Sequence, residues 1–378
     1  MHYEEPYKRN PKKKNRQPRR RRQTLGAWLA GVCLRLFALI LAIALLGGAL
    51  LYFLPVSLLA VEPEGVALSP TDGLPEDVAN VLLLGLDATH ENTRRSDSII
   101  IASIGRGRLQ LTSVLRDTLL AIPDRGTGKL NAAYAYGGPW LVARTLNENL
   151  KLNIVHYIAV DYAALVRIVE ALGGVDIEIS QAEMAKINSD IGARRDRWRS
   201  LGYDAPDLVD WGANTHLDGV QALTYARIRK LDSDFVRTSR QRKLLDALLK
   251  RLRSRLWNPV CLFRLAKVVL QAVDTDLTPF QLILLGEKAL ASGVTGSLRL
   301  PVDGSYTDDG SSLTVNDQQA NIAALQLAVY GDRGVGTRGR FSCPTFPRQN
   351  RHTAPYIEKS RFRGSFPLYV FSLTAPAR

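Results

Sequence analysis

The sequence predicts an α/β layer protein carried behind one N-terminal membrane-spanning helix. Three observations predict it. "VLLLG" (81–85) and "SIIIASI" (98–104) are continuous apolar runs of the kind that form strands covered on both faces. Amphipathic helical stretches alternate with the strand-like runs, which marks an α/β layer arrangement. Residues 36–54, "LFALILAIALLGGALLYFL", hold no charge, and about 20 apolar residues in a helix span the hydrocarbon layer of a membrane.

The N-terminal elements follow from charge. Residues 1–22 carry ten Lys/Arg against Glu4 and Glu5, so this arm supplies +8 of the formal net charge of +14. We read residues 1–24 as a basic cytoplasmic tail and 25–60 as a transmembrane anchor. Arg35 sits one position before the apolar run, where its stem can snorkel to the headgroups, and Glu62 and Glu64 follow the run. The positive-inside bias then holds the N-terminus in the cytoplasm and puts everything after Val61 outside the cytoplasmic membrane. A cleaved signal peptide is the rival reading. Its apolar core is usually about 7–15 residues and ends in small residues, whereas this run is longer and "SLLAVE" is a poor cleavage site. Three cysteines, Cys33, Cys261 and Cys343, build neither a disulfide framework nor a zinc module. Cys261 and Cys343 both fall on the external side and are able to pair.

Residues 61–78 contain three prolines without a clear period and read as a linker. The main domain is expected over 79–330. After the strands at 81–85 and 98–104, "GRGR" (105–108) is a turn and "LQLTSVL" (109–115) alternates as a third strand. "DYAALVRIVEALGG" (161–174) has an Asp N-cap, a helical apolar stripe and a glycine stop, and "VDIEI" (175–179) is the next strand. "SRQRKLLDALLKRL" carries leucines at 244, 245, 248, 249 and 252, a helical stripe. "TDLTPFQLILLGEKAL" (275–290) is a further helix, capped near Thr278 with Pro279 in its first turn. From 331 to 378 the chain turns Arg-, Gly- and Pro-rich and reads as a peripheral tail.

Several chemistries are excluded. "GVGTRG" in the tail has the spacing of a dinucleotide fingerprint, but the following "RFSCPTFP" cannot be the helix such a site needs. There is no P-loop, no G-x-S-x-G and no H-E-x-x-H, and the five histidines lie far apart. A catalytic site here rests on Asp, Arg and a metal that prefers oxygen.

The charges converge through strand geometry. The link between the first two strands is too short for a parallel crossover, so they pair antiparallel. Asp87, Asp97, Arg95, Arg116 and Asp117 then gather at one edge of the sheet. In the helix after residue 234, Arg237 and Gln241 continue the stripe of Leu244, Leu245 and Leu248, so both face inward, while Arg240, Lys243 and Arg251 are expected on the solvated side with Lys230. Paired carboxylates with several arginines suit magnesium and pyrophosphate, since Mg²⁺ takes oxygen ligands and arginine supplies bidentate donors to phosphate.

The segments "NVLLLGLDATHENTRRSDSIIIASI" (80–104), "LTSVLRDTLLAIP" (111–123), "KLNAAYAYGG" (129–138), "VDYAALVRIVEALGGVDIEI" (160–179) and "HLDGVQALTYARIRKLDSDFVRTSRQRK" (216–243) resemble the LytR–CpsA–Psr (LCP) family of cell-envelope proteins, in family order. The resemblance implies an α/β/α sandwich around a mixed central sheet, with a pocket for a polyprenyl chain. It implies a Mg²⁺-dependent phosphotransferase that moves a glycopolymer from an undecaprenyl-pyrophosphate carrier to a cell-wall acceptor hydroxyl, commonly on peptidoglycan. By the same resemblance, Asp87 and Asp97 match magnesium carboxylates. Arg95, Arg116, Arg227 and Arg229 match arginines around the pyrophosphate, and Asp234, Arg237 and Gln241 match the end of the last motif. Two positions depart from the family pattern: Thr89 stands where an arginine is frequent, with Arg94 beside Arg95 expected to compensate, and Leu115 stands where a proline is usual. The expected catalytic set is Arg116, Asp117, Arg227, Arg229 and Asp234, with Asp117 or Asp234 taking the hydroxyl proton. Rival readings are a membrane-anchored transcription regulator, with 226–243 as a DNA-contacting helix, and a polyprenyl-phosphate-binding protein without catalysis. The expected topology separates 226–243 from DNA, so no nucleic-acid partner is expected.

Overall fold

The computed structural model describes residues 54–59, 66–87, 95–193, 198, 209–228 and 234–331. The apolar span at 36–54 (all but its last residue), the basic tail and the C-terminal tail after Gly331 lie outside them, as do Thr89, Arg94, Arg229 and Lys230. A 3₁₀ turn (Val56–Leu59) precedes strands β1 (Val78–Asp87), β2 (Arg95–Gly105) and β3 (Arg108–Val114). β4 (Thr118–Ile122) and β5 (Gly126–Lys129) lead into helix α1 (Leu130–Leu150). β6 (Ile154–Asp161) is followed by α2 (Tyr162–Leu172), β7 (Val175–Ile179), α3 (Gln181–Ala193), β8 (Gly212–Leu217) and α4 (Gly219–Ala226). Next come the long α5 (Asp234–Arg255), α6 (Pro259–Ala272), the short β9 (Val273–Thr275) and α7 (Pro279–Ser292). β10 (Val294–Leu300), β11 (Tyr306–Asp308), β12 (Leu313–Val315) and α8 (Gln318–Tyr330) complete the order.

The main sheet has the order β10-β3-β2-β1-β6-β9 and is mixed. β1, β2 and β3 form an antiparallel meander, β6 joins β1 in parallel, and β10 joins β3 in parallel. A smaller sheet runs β11-β12-β4-β5, and β7 pairs with β8. The local signals act as their chemistry requires. Asp161 caps α2 by accepting from the Ala164 N–H, and Gly173 ends that helix at φ 73°. Thr278 and Gln281 close a capping box on α7, with Pro279 in its first turn. α1 is broken at Gly137 and Gly138, where Gly138 takes φ 63° just before Pro139.

Alternation along the strands divides the core. Leu82, Leu84, Ile99, Ile101 and Val114 pack with Val142, Leu146 and Leu150 of α1 and Leu325 of α8. Val81, Ile100 and Leu111 face the opposite way, toward Leu284 and Leu285 of α7 and toward Leu245 and Leu249 of α5. The helices therefore cover both faces, an α/β/α layering. Part of the expected linker also belongs to the domain: Leu68 is fully buried, and its carbonyl accepts from Asn147.

Candidate active site

The C-terminal ends of β1 and β3 and the start of β2 meet at one sheet edge. Asp87 pairs with Arg95 across the β1–β2 ladder, with a bulge between Gly85 and Leu86. Bulges of this kind re-aim side chains. Arg116 follows β3 and reaches back to the same edge: its Nη1 donates to Asp97 Oδ1 at 2.6 Å and its Nε to Asp117 Oδ2 at 3.2 Å. Lys129 Nζ lies 3.5 Å from the other Asp117 oxygen.

Behind this edge lies a cavity of about 1020 Å³, its open mouth included, between the sheet and α2, α4 and α5. Leu83, Ile100, Ile158, Leu165, Leu244, Leu245 and Leu248 make its deep walls aliphatic. Asp97, Asp161, Tyr162, Arg227, Arg237 and Gln241 line it as well. Arg237 is buried, and Gln241 one turn later accepts from Ser98 Oγ at 2.9 Å. The Arg227 guanidinium lies over the Tyr162 ring at 4.2 Å, and the Tyr162 hydroxyl reaches Asp97 Oδ2 at 3.4 Å. That stack holds the Arg227 guanidinium on the ring whose hydroxyl meets Asp97. Small residues keep the space open. A Cβ on Gly85 would sit 2.9 Å from that of Ser98.

The structure thus brings together Asp97, Arg116, Asp117, Arg227, Arg237 and Gln241. Asp87 and Arg95 stand at the same edge, Arg95 exposed and outside the cavity lining. Asp234 is the first residue of α5, and its side chain lies outside the described set, as does all of Arg229. For a metal, Asp87 and Asp97 offer carboxylate oxygens. Among the described residues no group of three or more His, Cys, Asp or Glu is arranged around one ion. That donor set fits Mg²⁺, which takes one or two carboxylates and completes its shell with water and substrate phosphate, and it does not fit zinc.

Two expectations for α5 are corrected. Arg240 is buried, and its Nε donates to Glu183 Oε1 at 2.7 Å. Arg251 donates to the Gly173 carbonyl at 2.6 Å and reaches Asp176 at 3.3 Å. The reason is a second layer: β7 and α4 pack on the flank of α5 that a two-sided helix would turn to water. Among the described members of that set Lys243 is exposed as expected, and Lys230 lies outside the described residues. Burial raises the Glu183 pKa, but hydrogen bonds from Arg240 and Ser180 outweigh it and hold the carboxyl below its ordinary value. Cys261 is a buried free thiol on the inner side of α6, and Cys343 lies outside the described residues.

Sequence reasoning missed Tyr162, Ser98, Lys129 and Arg242. Tyr162 had a signal, since it follows a strand's last carboxylate at the start of a helix. Arg242 had none: its Nη1 donates to Ser113 Oγ at 2.7 Å, and burial, with Arg299 adding repulsion, brings its pKa down to about 10.

The model of the LytR_cpsA_psr family matches residues 61–327 of this sequence. The chain belongs to the LytR–CpsA–Psr family. Regulatory protein MsrR of Staphylococcus aureus (strain COL), to which it is similar, is 29% identical over 252 residues, 63% of this chain and 70% of that protein. Polyisoprenyl-teichoic acid–peptidoglycan teichoic acid transferase TagU of Oceanobacillus iheyensis is 35% identical over 184 residues, 46% of this chain and about half (51%) of that protein. Among solved structures, B. subtilis TagT covers 67% of this chain and 91% of its own at TM-score 0.52 and 24% identity. The LytR-CPS2A-psr family protein YwtF (TagT) with bound octaprenyl pyrophosphate lipid aligns at TM-score 0.50 and 22% identity, over 67% of this chain and 90% of its own. These likenesses show a shared LytR–CpsA–Psr fold.

Proposed function

We propose that this chain is a phosphotransferase on the outer face of the cytoplasmic membrane, moving a glycopolymer from a polyprenyl-pyrophosphate carrier to a cell-wall acceptor hydroxyl. One observation carries the reading: an aliphatic cavity that is also lined by two arginines, Arg227 and Arg237, and two carboxylates, Asp97 and Asp161, a fit for an apolar tail joined to a diphosphate. The name of TagU and the lipid in the YwtF structure support the same substrate class.

In this reading the polyprenyl chain lies along Leu83, Ile158, Leu245 and Leu248. Arg227 and Arg237 hold the pyrophosphate with Arg116, and Gln241 orients it. Arg95 and Arg229 extend the cationic rim. The acceptor oxygen attacks the sugar-side phosphorus, and the bond from that phosphorus to the bridging oxygen breaks. Polyprenyl phosphate leaves with the electron pair. Asp117 or Asp234 accepts the hydroxyl proton. Phosphoryl transfer needs mainly charge neutralisation and positioning, which clustered guanidinium groups supply. Asp87 and Asp97 would hold Mg²⁺, whose charge would offset that of the pyrophosphate oxygens. The undecaprenyl length of the carrier, the membrane anchor at 25–60 and a peptidoglycan acceptor belong to the same proposal.

The test is transfer of a fluorescent polyprenyl-pyrophosphate-linked oligomer to a peptidoglycan acceptor. Asp97→Ala and Arg227→Ala are expected to lose on the order of 10²–10³-fold in rate, with melting temperature preserved. Wild-type turnover by both variants sinks the site assignment. Retained lipid without transfer by the wild type favours a binding protein. The regulatory name of MsrR supports a second reading, a transcription regulator. Against it stands the burial of Arg237 and Arg240, which withholds them from a nucleic-acid backbone. A reporter fused after residue 260 and active only in the cytoplasm would revive it.

A further inference from the structure

The far end of α5 and the helix after it carry a surface that the transferase reading does not use. α6 is apolar on two sides. Its inner side holds Cys261, whose Sγ donates to the Ala171 carbonyl at 3.3 Å, so this side packs on α2. Its outer side presents Val260, Phe263 and Leu270 to solvent, and Leu256 and Trp257 continue the patch into the α5–α6 corner. Trp257 is 75% exposed and Phe263 73%. A helix with apolar residues on both faces calls for a second partner, and large exposed apolar patches mark contact surfaces.

Charge identifies the partner. From Ala247 to Val273 the chain contains no Asp or Glu but six cations: Lys250, Arg251, Arg253, Arg255, Arg264 and Lys267. Arg253, Arg264 and Lys267 are exposed among the apolar residues. Aromatic and aliphatic side chains interleaved with Lys/Arg, with an exposed tryptophan, form the pattern of a helix lying in the interface of an anionic bilayer. The C-terminal segment 332–378 is a poor cover, because its nine Lys/Arg against Asp332 and Glu358 repel a cationic face.

Chain continuity adds a second, independent argument. The apolar span at 36–54 ends just before the 3₁₀ turn at Val56–Leu59, and this turn is tied to the same part of the domain. Leu59 is fully buried against Leu277 and Leu284, and Gln281 Nε2 donates to the Leu58 carbonyl at 3.3 Å. Gln281 also meets His156, whose ring bonds Asp276 in the loop after β9, the strand that directly follows α6. Next to Gln281, Phe280 and Ile283 of α7 are exposed as well. The anchor therefore delivers the domain to the membrane within a few residues of a second exposed apolar group. We infer that the α5–α6 corner and the outer face of α6 dock on the anionic lipid surface, holding the domain against the bilayer. The deep wall of the cavity, at Leu248, lies two turns from the end of α5 that would touch lipid. The inference is independent of transfer chemistry.

The test uses the full chain reconstituted in vesicles of equal parts phosphatidylglycerol and phosphatidylcholine with a diazirine phospholipid as tracer. Photo-adducts, mapped by peptide mass spectrometry, are expected at 36–54 and at 256–270. In vesicles of phosphatidylcholine alone the second set weakens. The double variant Trp257→Ser/Phe263→Ser, at two exposed positions, reduces it at least about tenfold while leaving the first set intact. Adducts at 36–54 with none at 256–270 overturn the inference, and so does linkage of 256–270 to a second protein chain by an added bifunctional cross-linker in the same vesicles, in place of lipid adducts. Adducts at 256–270 without those at 36–54 uphold the docking surface and refute the anchor.

Discussion

The two faces of the main sheet are built from the same strands, yet one is filled and the other is packed only in part, beside an open cavity. Leu82, Ile99 and Ile101 point into a continuous core with α1 and α8. Leu83, Gly85, Ser98 and Ile158, one residue out of phase, border an open cavity under α2, α4 and α5. The filled face also holds neutral polar clamps. Asn80 donates to the Tyr330 hydroxyl at 2.9 Å and accepts from Ser103 at 2.5 Å, and Asn147 brackets Ile154 through both its N–H and its carbonyl. The layer over the cavity relies instead on charge, with Arg240 on Glu183 and Arg227 stacked on Tyr162. A continuous core and an open cavity thus lie on opposite sides of one strand pair. A period of two residues is enough to do it.

Adjacent substitutions can break this contrast. Leu82→Ala is expected to cost about 3–5 kcal/mol in urea unfolding, since it leaves a void in a close-packed layer, whereas Leu83→Ala costs less than half of that because one side already borders open space. Equal losses would mean that the cavity is filled by protein in solution. Leu248→Trp sharpens the contrast from the other direction. Filling existing space should change stability by less than about 1.5 kcal/mol while abolishing co-purifying polyprenyl lipid, read by mass spectrometry. The smallest effect is pH-dependent. The Glu183 carboxyl is held below its usual value of 4.5, so its contribution is complete above that pH and is lost as pH falls through the folded-state value. Arg240→Met removes the partner and should flatten the acid limb of a stability–pH profile. An unchanged limb would refute this role for the ion pair.

The parts legible in the sequence were those fixed by short-range chemistry. The apolar runs, the short β1–β2 link and the caps at Asp161 and Thr278 are local signals, and the antiparallel edge that gathers Asp97, Arg116 and Asp117 follows from them. What sequence could not give was the second layer. Arg240 and Arg251 look solvated on a helical wheel with one buried stripe, but Glu183, 57 positions from Arg240, and Asp176, 75 from Arg251, meet them on the other flank, where β7 and α4 pack. Arg242 is hidden for the same reason, since Ser113 and Arg299 reach it through the β3–β10 pairing. The β11-β12-β4-β5 sheet also assembles strands from opposite ends of the domain, which no local pattern announces.

The parallel joining of β10 to β3 has a kinetic consequence. The meander β1–β2–β3 closes over short links, while Leu109 and Thr295, hydrogen-bonded across the β3–β10 seam, are separated by 186 positions. Contacts of such long loop closure form slowly relative to hairpins. The helices that enclose the cavity, α2, α4 and α5, all lie within that interval of chain, so its roof is added to strands that precede it. A chain emerging N-terminus first thus completes the strands that carry Asp87, Asp97 and Asp117 before the helices that enclose the cavity are available.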